Sequence, residues 1–236
     1  MENRRRKISK KILVVAAHPD DEVLGCGATI AKHVALGNEV RVIILGEGVR
    51  ARRGVKNARQ KIKTLELEAT KANRFLGVSR TIFLGLPDNA LDNVSLLTII
   101  QKIERIIERY MPQLVYTHHH GDVNIDHQLT ARAMQAVCRP LPESSIEMVL
   151  AFEVASSTEW SFQSDRIFAP NVFYDVSGFF DKKIKAMELY QSEIRQFPHP
   201  RSSEYLRALA RVRGGQAGFN FAEGFSLVYS REKQLL

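Results

Sequence analysis

Cysteine is scarce in this chain. Cys26 and Cys138 are the only two in 236 residues, too few for a disulfide framework, so the small disulfide-stapled secreted class is excluded and cytoplasmic residence is the default expectation. No apolar run approaches the ~20 residues a membrane helix needs. The start, Met1 to Lys11, is basic and leads into a short strand-like run rather than an apolar signal core, so no secretory signal is expected. Internal repeats and low-complexity linkers are also lacking. Tryptophan occurs once, as Trp160. What remains is ordinary globular material: 44% hydrophobic residues, enough for a sizeable core in one domain.

The formal net charge is +8, which on its own resembles a nucleic-acid binder. Its distribution argues otherwise. Arg4, Arg5, Arg6, Lys7, Lys10 and Lys11 face only Glu2 in the first eleven residues, so most of the excess sits at the chain start. Residues 1–11 therefore read as a solvated, disordered basic tail. The alternative is weak attraction to an anionic membrane surface or substrate, at ~1 kcal/mol per basic residue. The body is only slightly basic and no helix face concentrates charge, so no nucleic-acid partner is expected.

Strand and helix signals alternate through the first 140 residues. Strands are expected at Ile12–Ala17, Glu39–Leu45, Thr81–Leu84 and Gln113–Thr117. Helices are expected at Glu22–Leu36, Asn57–Leu76, Asn93–Tyr110 and His127–Cys138, with Gly37-Asn38, Gly77 and Pro112 as stops. This spacing implies βαβ units and a Rossmann-like three-layer α/β sandwich with a mostly parallel sheet. After Pro140-Leu141-Pro142 the pattern changes. Strands at Ile146–Val154, Asn171–Val176 and Gly224–Ser230 and helices at Asp181–Gln191 and Ser203–Arg213 make a C-terminal α+β extension. We expect residues 12–236 to form one domain, with 12–140 as its core and 141–236 walling the site.

Residues 16–22, Ala-Ala-His-Pro-Asp-Asp-Glu, place a histidine and two adjacent carboxylates where the first strand ends. Ligands of open α/β sheets bind at the carboxyl ends of strands. His18 and Asp21 are a nitrogen and an oxygen ligand three residues apart, suited to a zinc-type ion, and Asp20 between them is placed to act as a base. Thr117 to His127 follows the fourth strand and holds four of the seven histidines: His118, His119, His120 and His127. A helix pattern starts near Asp126, its expected N-cap, with His127 in the first turn. His18, Asp21 and His127 as ligands leave a fourth position for water, the mark of a catalytic zinc site. Asp20 then takes the water's proton, Asp126 orients a histidine ring, and the attacked group is a carbonyl. Each piece alone has a plainer reading: a carboxylate pair at a helix start complements the helix dipole, and a lone strand-end histidine is packing.

Ala17-His18-Pro19-Asp20-Asp21-Glu22, followed by Leu86-Pro87-Asp88 and Asp126-His127, strongly resembles the zinc-dependent GlcNAc de-N-acetylase superfamily (PIG-L/LmbE-like), over nearly the whole chain. The resemblance implies hydrolysis of the acetamido group of an N-acetyl-hexosamine to an amine and acetate. It implies Zn2+ on His18, Asp21 and His127, and Asp20 as the base that later protonates the leaving amine. Many members carry an oxyanion-stabilising histidine three residues before the last ligand, where this chain has Asn124. Asn124, His119 and His120 are the candidates for that donor. The family's sugar-contacting arginine, three residues before a helix glutamate like Glu68, is Leu65 here. Arg52 is our first expected substitute and Arg50 the second. Asp88 matches a position that accepts sugar hydroxyls. Trp160 is a candidate to stack on a sugar ring. In some oligomeric relatives a C-terminal histidine enters a neighbouring site; His199, in the turn Phe197–Ser202, is a candidate for that role, with a purely structural turn the alternative, and a homo-oligomer is an option.

Two other functions compete: an amidase acting on a small non-sugar amide, and a metal-binding protein without turnover. The intact Asp20 argues against the second. A dinucleotide site at Gly25-Cys26-Gly27 fails for want of the third glycine and for its position inside a helix. Small residues there let the helix approach the sheet, and Cys26 is expected to be packed and inert.

Overall fold

The side chains of Lys11–Ala16 (β1) alternate between two interiors, as the two-residue strand period requires. Ile12, Val14 and Ala16 enter one apolar cluster, and Leu13 and Val15 the other. This is a strand buried on both faces, the normal condition of a parallel sheet covered by helices. The computed structural model describes residues 9–51, 54, 56–162 and 165–232. After β1 come α1 (Asp21–Ala35), β2 (Glu39–Gly46), α2 (Ala58–Leu76), β3 (Arg80–Leu86), α3 (Leu96–Tyr110), β4 (Leu114–His118) and α4 (Ile125–Val137). Then follow β5 (Met148–Phe152), β6 (Val172–Asp175), α5 (Phe180–Glu188), α6 (Ser203–Ala217) and β7 (Ala222–Ser230).

The strands form one seven-stranded sheet in the order β3-β2-β1-β4-β5-β7-β6. β3, β2, β1, β4 and β5 are parallel, whereas β7 runs antiparallel to both β5 and β6. One face is covered by apolar residues of α1, α2, α5 and α6, the other by those of α3 and α4. The result is a Rossmann-like α/β sandwich whose C-terminal segment continues the same sheet. Strand order reverses between β1 and β4, and the crevice at such a switch point is where this architecture binds ligands.

Several boundaries differ from the sequence expectation. Residues 9–11 are not part of a free tail: Ser9 Oγ donates to Gly37 O at 2.7 Å, Lys10 N to Asn38 Oδ1 at 3.0 Å, and Lys11 opens β1. The rest of the expected tail, residues 1–8, lies outside the described residues. Leu91–Asn93 forms its own 3-10 turn, so α3 begins at Leu96 rather than Asn93. β5 ends at Phe152, short of Val154, because the Val154 carbonyl closes a turn with the amides of Ser157 and Thr158.

Helix α1 is broken at Cys26, whose φ/ψ of −146/26 is not helical. The break frees amides and a carbonyl inside the protein, and buried side chains take them up. Glu223 accepts from Ala28 N and Thr29 N at 3.2 and 2.7 Å, and Lys183 Nζ donates to Leu24 O at 2.7 Å and to Glu223 at 2.6 Å. Burying such a pair is tolerable because each member is also hydrogen-bonded to backbone. At Gly25 a Cβ would lie 2.4 Å from Phe152 Cδ2, so glycine here lets α1 rest on the sheet.

Candidate active site

The carboxyl ends of β1 and β4 lie side by side, paired up to Val14 and Tyr116, and each is followed directly by chemistry-bearing residues. Past β1 the chain enters α1 through Asp20, whose φ of 102° is in the left-handed region, rare for a non-glycine residue. Glu22 holds that backbone: its Oε2 accepts from Asp20 N at 3.1 Å. Its Oε1 accepts from Asn73 Nδ2 at 2.9 Å and from the Tyr190 hydroxyl. Burial raises the Glu22 carboxyl to about 7, against these hydrogen bonds.

His18, Asp21 and His127 converge with ligand atoms all within 4.8 Å of one another, and all three are buried. His18 Nδ1 lies 3.5 Å and His127 Nε2 3.2 Å from Asp21 Oδ2. The far nitrogen of each ring is held by a second carboxylate. His18 Nε2 is 3.0 Å from Asp126 Oδ2, and His127 Nδ1 is 3.2 Å from Asp122 Oδ2. Carboxylate partners of this kind fix the tautomer and orientation of a ligating imidazole. Both rings titrate high despite burial, His18 at about 10 and His127 at about 9, because these carboxylates favour the charged ring. Burial penalises the Asp21 carboxylate, yet His127 and His18 together hold it well below the usual range. Two nitrogens and one carboxylate oxygen on a buried floor are the donor set of a catalytic zinc-type site. The residues present therefore fit a divalent transition metal.

Asp20 lies beside this group, buried, with its carboxyl pushed well above the ordinary range by burial, against the Arg201 charge. An open cavity of about 270 Å³ sits over the cluster, lined among others by His18, Asp20, Asp88, Asn124, His127 and Arg201. Asp88 is 6% exposed and its Oδ1 is 3.5 Å from His18 Nε2, while its Oδ2 accepts from Ala51 N at 3.0 Å. Asn124, not Asp126, caps α4, its Oδ1 accepting from Asp126 N at 2.8 Å. That releases Asp126 to face His18. The Asn124 amide nitrogen donates to Asn89 Oδ1 at 2.9 Å, so one of its two N–H groups is already used.

Other expected residues are elsewhere. Among the described residues His119 and His120 do not line the cavity. His119 Nε2 is 2.8 Å from the Arg166 carbonyl, and exposed His120 lines a separate groove beside α4 with Arg132 and Arg166. The reason is the turn after β4, which carries these two side chains away from the site. Arg50 is exposed and ion-paired with Glu47 at 2.6 Å, outside the cavity lining; Arg52 lies outside the described residues. Trp160, 44% exposed, and His199 pack edge to face at 6.1 Å, and His199 Nδ1 accepts from Arg201 N at 3.1 Å. Neither lines the cavity. Leu65 is buried in the core.

Sequence reasoning missed three contributors. His118, the last residue of β4, accepts from Ala17 N through Nε2 at 2.8 Å and stacks under His127 at 4.0 Å between centroids. Burial and the neighbouring His127 hold its pKa well below the usual value, so it is a neutral floor to the site. Asp122 accepts from Ser157 Oγ, from Thr158 Oγ1 at 2.7 Å and from Asn124 N at 2.8 Å besides facing His127. Its place in the Gly121–Asp126 loop was the available signal. The third, Arg201, left no signal beyond being a basic residue in a turn.

A family model described as "PIG-L: GlcNAc-PI de-N-acetylase" matches residues 13–138, just over half of the chain. An Escherichia coli protein named uncharacterized deacetylase YaiS is 29% identical over 78% of this chain and 91% of its own. The diacetylchitobiose deacetylase of Thermococcus kodakarensis is 26% identical over 93% of this chain and 83% of its own. Among solved structures, the N,N'-diacetylchitobiose deacetylase of Pyrococcus horikoshii, complexed with an inhibitor, superposes with a TM-score of 0.77 at 20% identity. The match covers 94% of this chain and 85% of that one.

Proposed function

The chain belongs to the PIG-L family, and from that premise we propose that it is a zinc-dependent hydrolase that removes the N-acetyl group from an N-acetyl-hexosamine unit. The observation that carries this reading is the buried His18, Asp21 and His127 group at the β1/β4 switch point, with the Asp20 carboxyl beside it under an open cavity. A closed structural zinc site would use a fourth protein ligand instead.

His18, Asp21 and His127 would hold the ion, which supplies Lewis acidity to the acetamido carbonyl and acidifies water when bound. Asp20 takes a proton from the attacking water and returns it to the departing amine nitrogen. Its burial suits the first half of that task, because a carboxyl raised above the ordinary range is a stronger base for the water's proton. Asp126 and Asp122 keep the two imidazoles in register, and the spare N–H of Asn124 is directed to the developing oxyanion. Asp88 accepts from sugar hydroxyls. The cavity volume, at the small end for ligand sites, accommodates one hexosamine ring while the remainder of the substrate projects through the open mouth. The buried thiols Cys26 and Cys138 accord with a cytoplasmic setting. Among the described residues no helix is long and apolar enough to cross a membrane.

The test is acetate release by the zinc-loaded protein from GlcNAc, diacetylchitobiose, UDP-GlcNAc and GlcNAc-inositol, with a chelated control and Asp20→Ala alongside. The expected result is chelator-sensitive release by the wild type and none by Asp20→Ala at equal metal content. Turnover by Asp20→Ala at the wild-type rate would remove Asp20 from the mechanism, and no release from any N-acetyl-hexosamine would overturn the reading.

A further inference from the structure

Asp20 is the group on which the proposed chemistry turns, yet its own neighbourhood in the sequence does little to aim its side chain. It sits in a left-handed backbone conformation at the head of α1, and its Oδ2 is buried without a hydrogen-bond partner of good geometry. Among the described residues its ion-pair partner is a cation from far along the chain. Arg201 Nη1 lies 2.9 Å away, delivered from the turn before α6, some 180 residues along the chain.

The guanidinium is itself held by two further side chains, and the Arg201 backbone by a third. The same Nη1 is 2.8 Å from Glu193 Oε2, and Nε donates to Ser156 Oγ at 2.8 Å. Its backbone amide donates to His199 Nδ1 at 3.1 Å. Glu193 is 2% exposed, so the anchor is buried as well. A planar fork held between two carboxylates and a hydroxyl presents one fixed edge, which a lysine ammonium cannot reproduce.

We propose, resting on the deacetylase reading above, that Arg201 is the positioning residue for Asp20: anchored by Glu193 and Ser156, it holds the Asp20 carboxylate in its catalytic orientation. The C-terminal segment thus completes the site rather than only walling it. Arg201 is 23% exposed in its side chain and lines the cavity, so the competing role is direct contact with an anionic part of the substrate.

The experiment compares wild type, Arg201→Ala, Arg201→Met and Arg201→Lys for kcat, KM and metal content. Arg201→Met retains the aliphatic stem and serves if the alanine variant does not fold. Misplacing a catalytic group by about 1 Å costs about 100-fold, so kcat is expected to fall by that order in Arg201→Ala and Arg201→Met, with KM and metal content unchanged. Added ethylguanidinium is expected to restore part of kcat to Arg201→Ala, and Arg201→Lys to fall between. Unchanged kcat, or a rise in KM alone, would overturn the proposal and assign Arg201 to substrate binding. Wild-type turnover in the same assay tests the deacetylase reading separately. Should it be absent, crystal structures of metal-loaded wild type and Arg201→Met decide, since an identical Asp20 rotamer in both overturns the proposal.

Discussion

His33 gives the most quantitative test of the fold. Its ring lies between Tyr116, whose hydroxyl is 2.8 Å from Nε2, and Asn38, whose amide nitrogen is 3.2 Å from Nδ1. Burial, helped by the charges of Lys32 and Lys10, lowers its pKa from 6.5 to about 4. The sign follows directly. Below pH 6.5 the unfolded chain binds a proton at this position and the folded chain does not, so stability present near neutrality is lost as pH falls toward 4. The full shift is worth up to about 3 kcal/mol, of which about 2 kcal/mol is gone at pH 5. Urea unfolding of the chelated protein at pH 7, 6 and 5 reads this, provided His33→Gln is run in parallel. The amide keeps a hydrogen bond to Tyr116 but does not titrate. The wild-type curve should fall more steeply with acid than the variant's by that amount. Parallel curves would refute the argument, because every other acid-labile group is common to both proteins.

Three further outcomes follow from named contacts. Asp122→Ala removes the carboxylate behind His127 and is expected to weaken metal binding by about 10–100-fold; competition with a chromophoric chelator measures it, and unchanged affinity would deny Asp122 that role. Gly25→Ala places a methyl 2.4 Å from fully buried Phe152, and such overpacking should cost about 1–3 kcal/mol in denaturant unfolding, less any helix-propensity gain. His120→Ala, at an exposed ring outside the cavity, should leave kcat/KM and metal content unaltered, and a marked loss of activity would return His120 to the site.

The local pattern was enough to place much of this molecule. Hydrophobic runs of five or six residues separated by amphipathic stretches can hardly be anything but buried parallel strands with crossover helices, and β1, β2 and β4 lie where that pattern put them. His18 and Asp21 sit three residues apart at a strand end, so one turn of backbone brings them together. His127, first turn of a helix after β4, was placed by the same rule, because β1 and β4 are neighbours wherever strand order reverses there.

What the sequence could not decide is how side chains distribute over contacts made across the fold. Four histidines between 118 and 127 look alike in sequence, yet one turn exposes His120, buries His119 against the Arg166 carbonyl away from the site, and leaves His118 and His127 stacked in it. Asp126 reads as a cap, but Asn124 takes that duty and frees it for His18. Arg201 meets Asp20 only because α5 packs on α1 and the turn before α6 returns to the head of that helix. A strand end and the candidate metal ligands beside it are local consequences of chain direction and residue type. The partners that orient them come from burial in three dimensions, where every desolvated charge must find its counterpart.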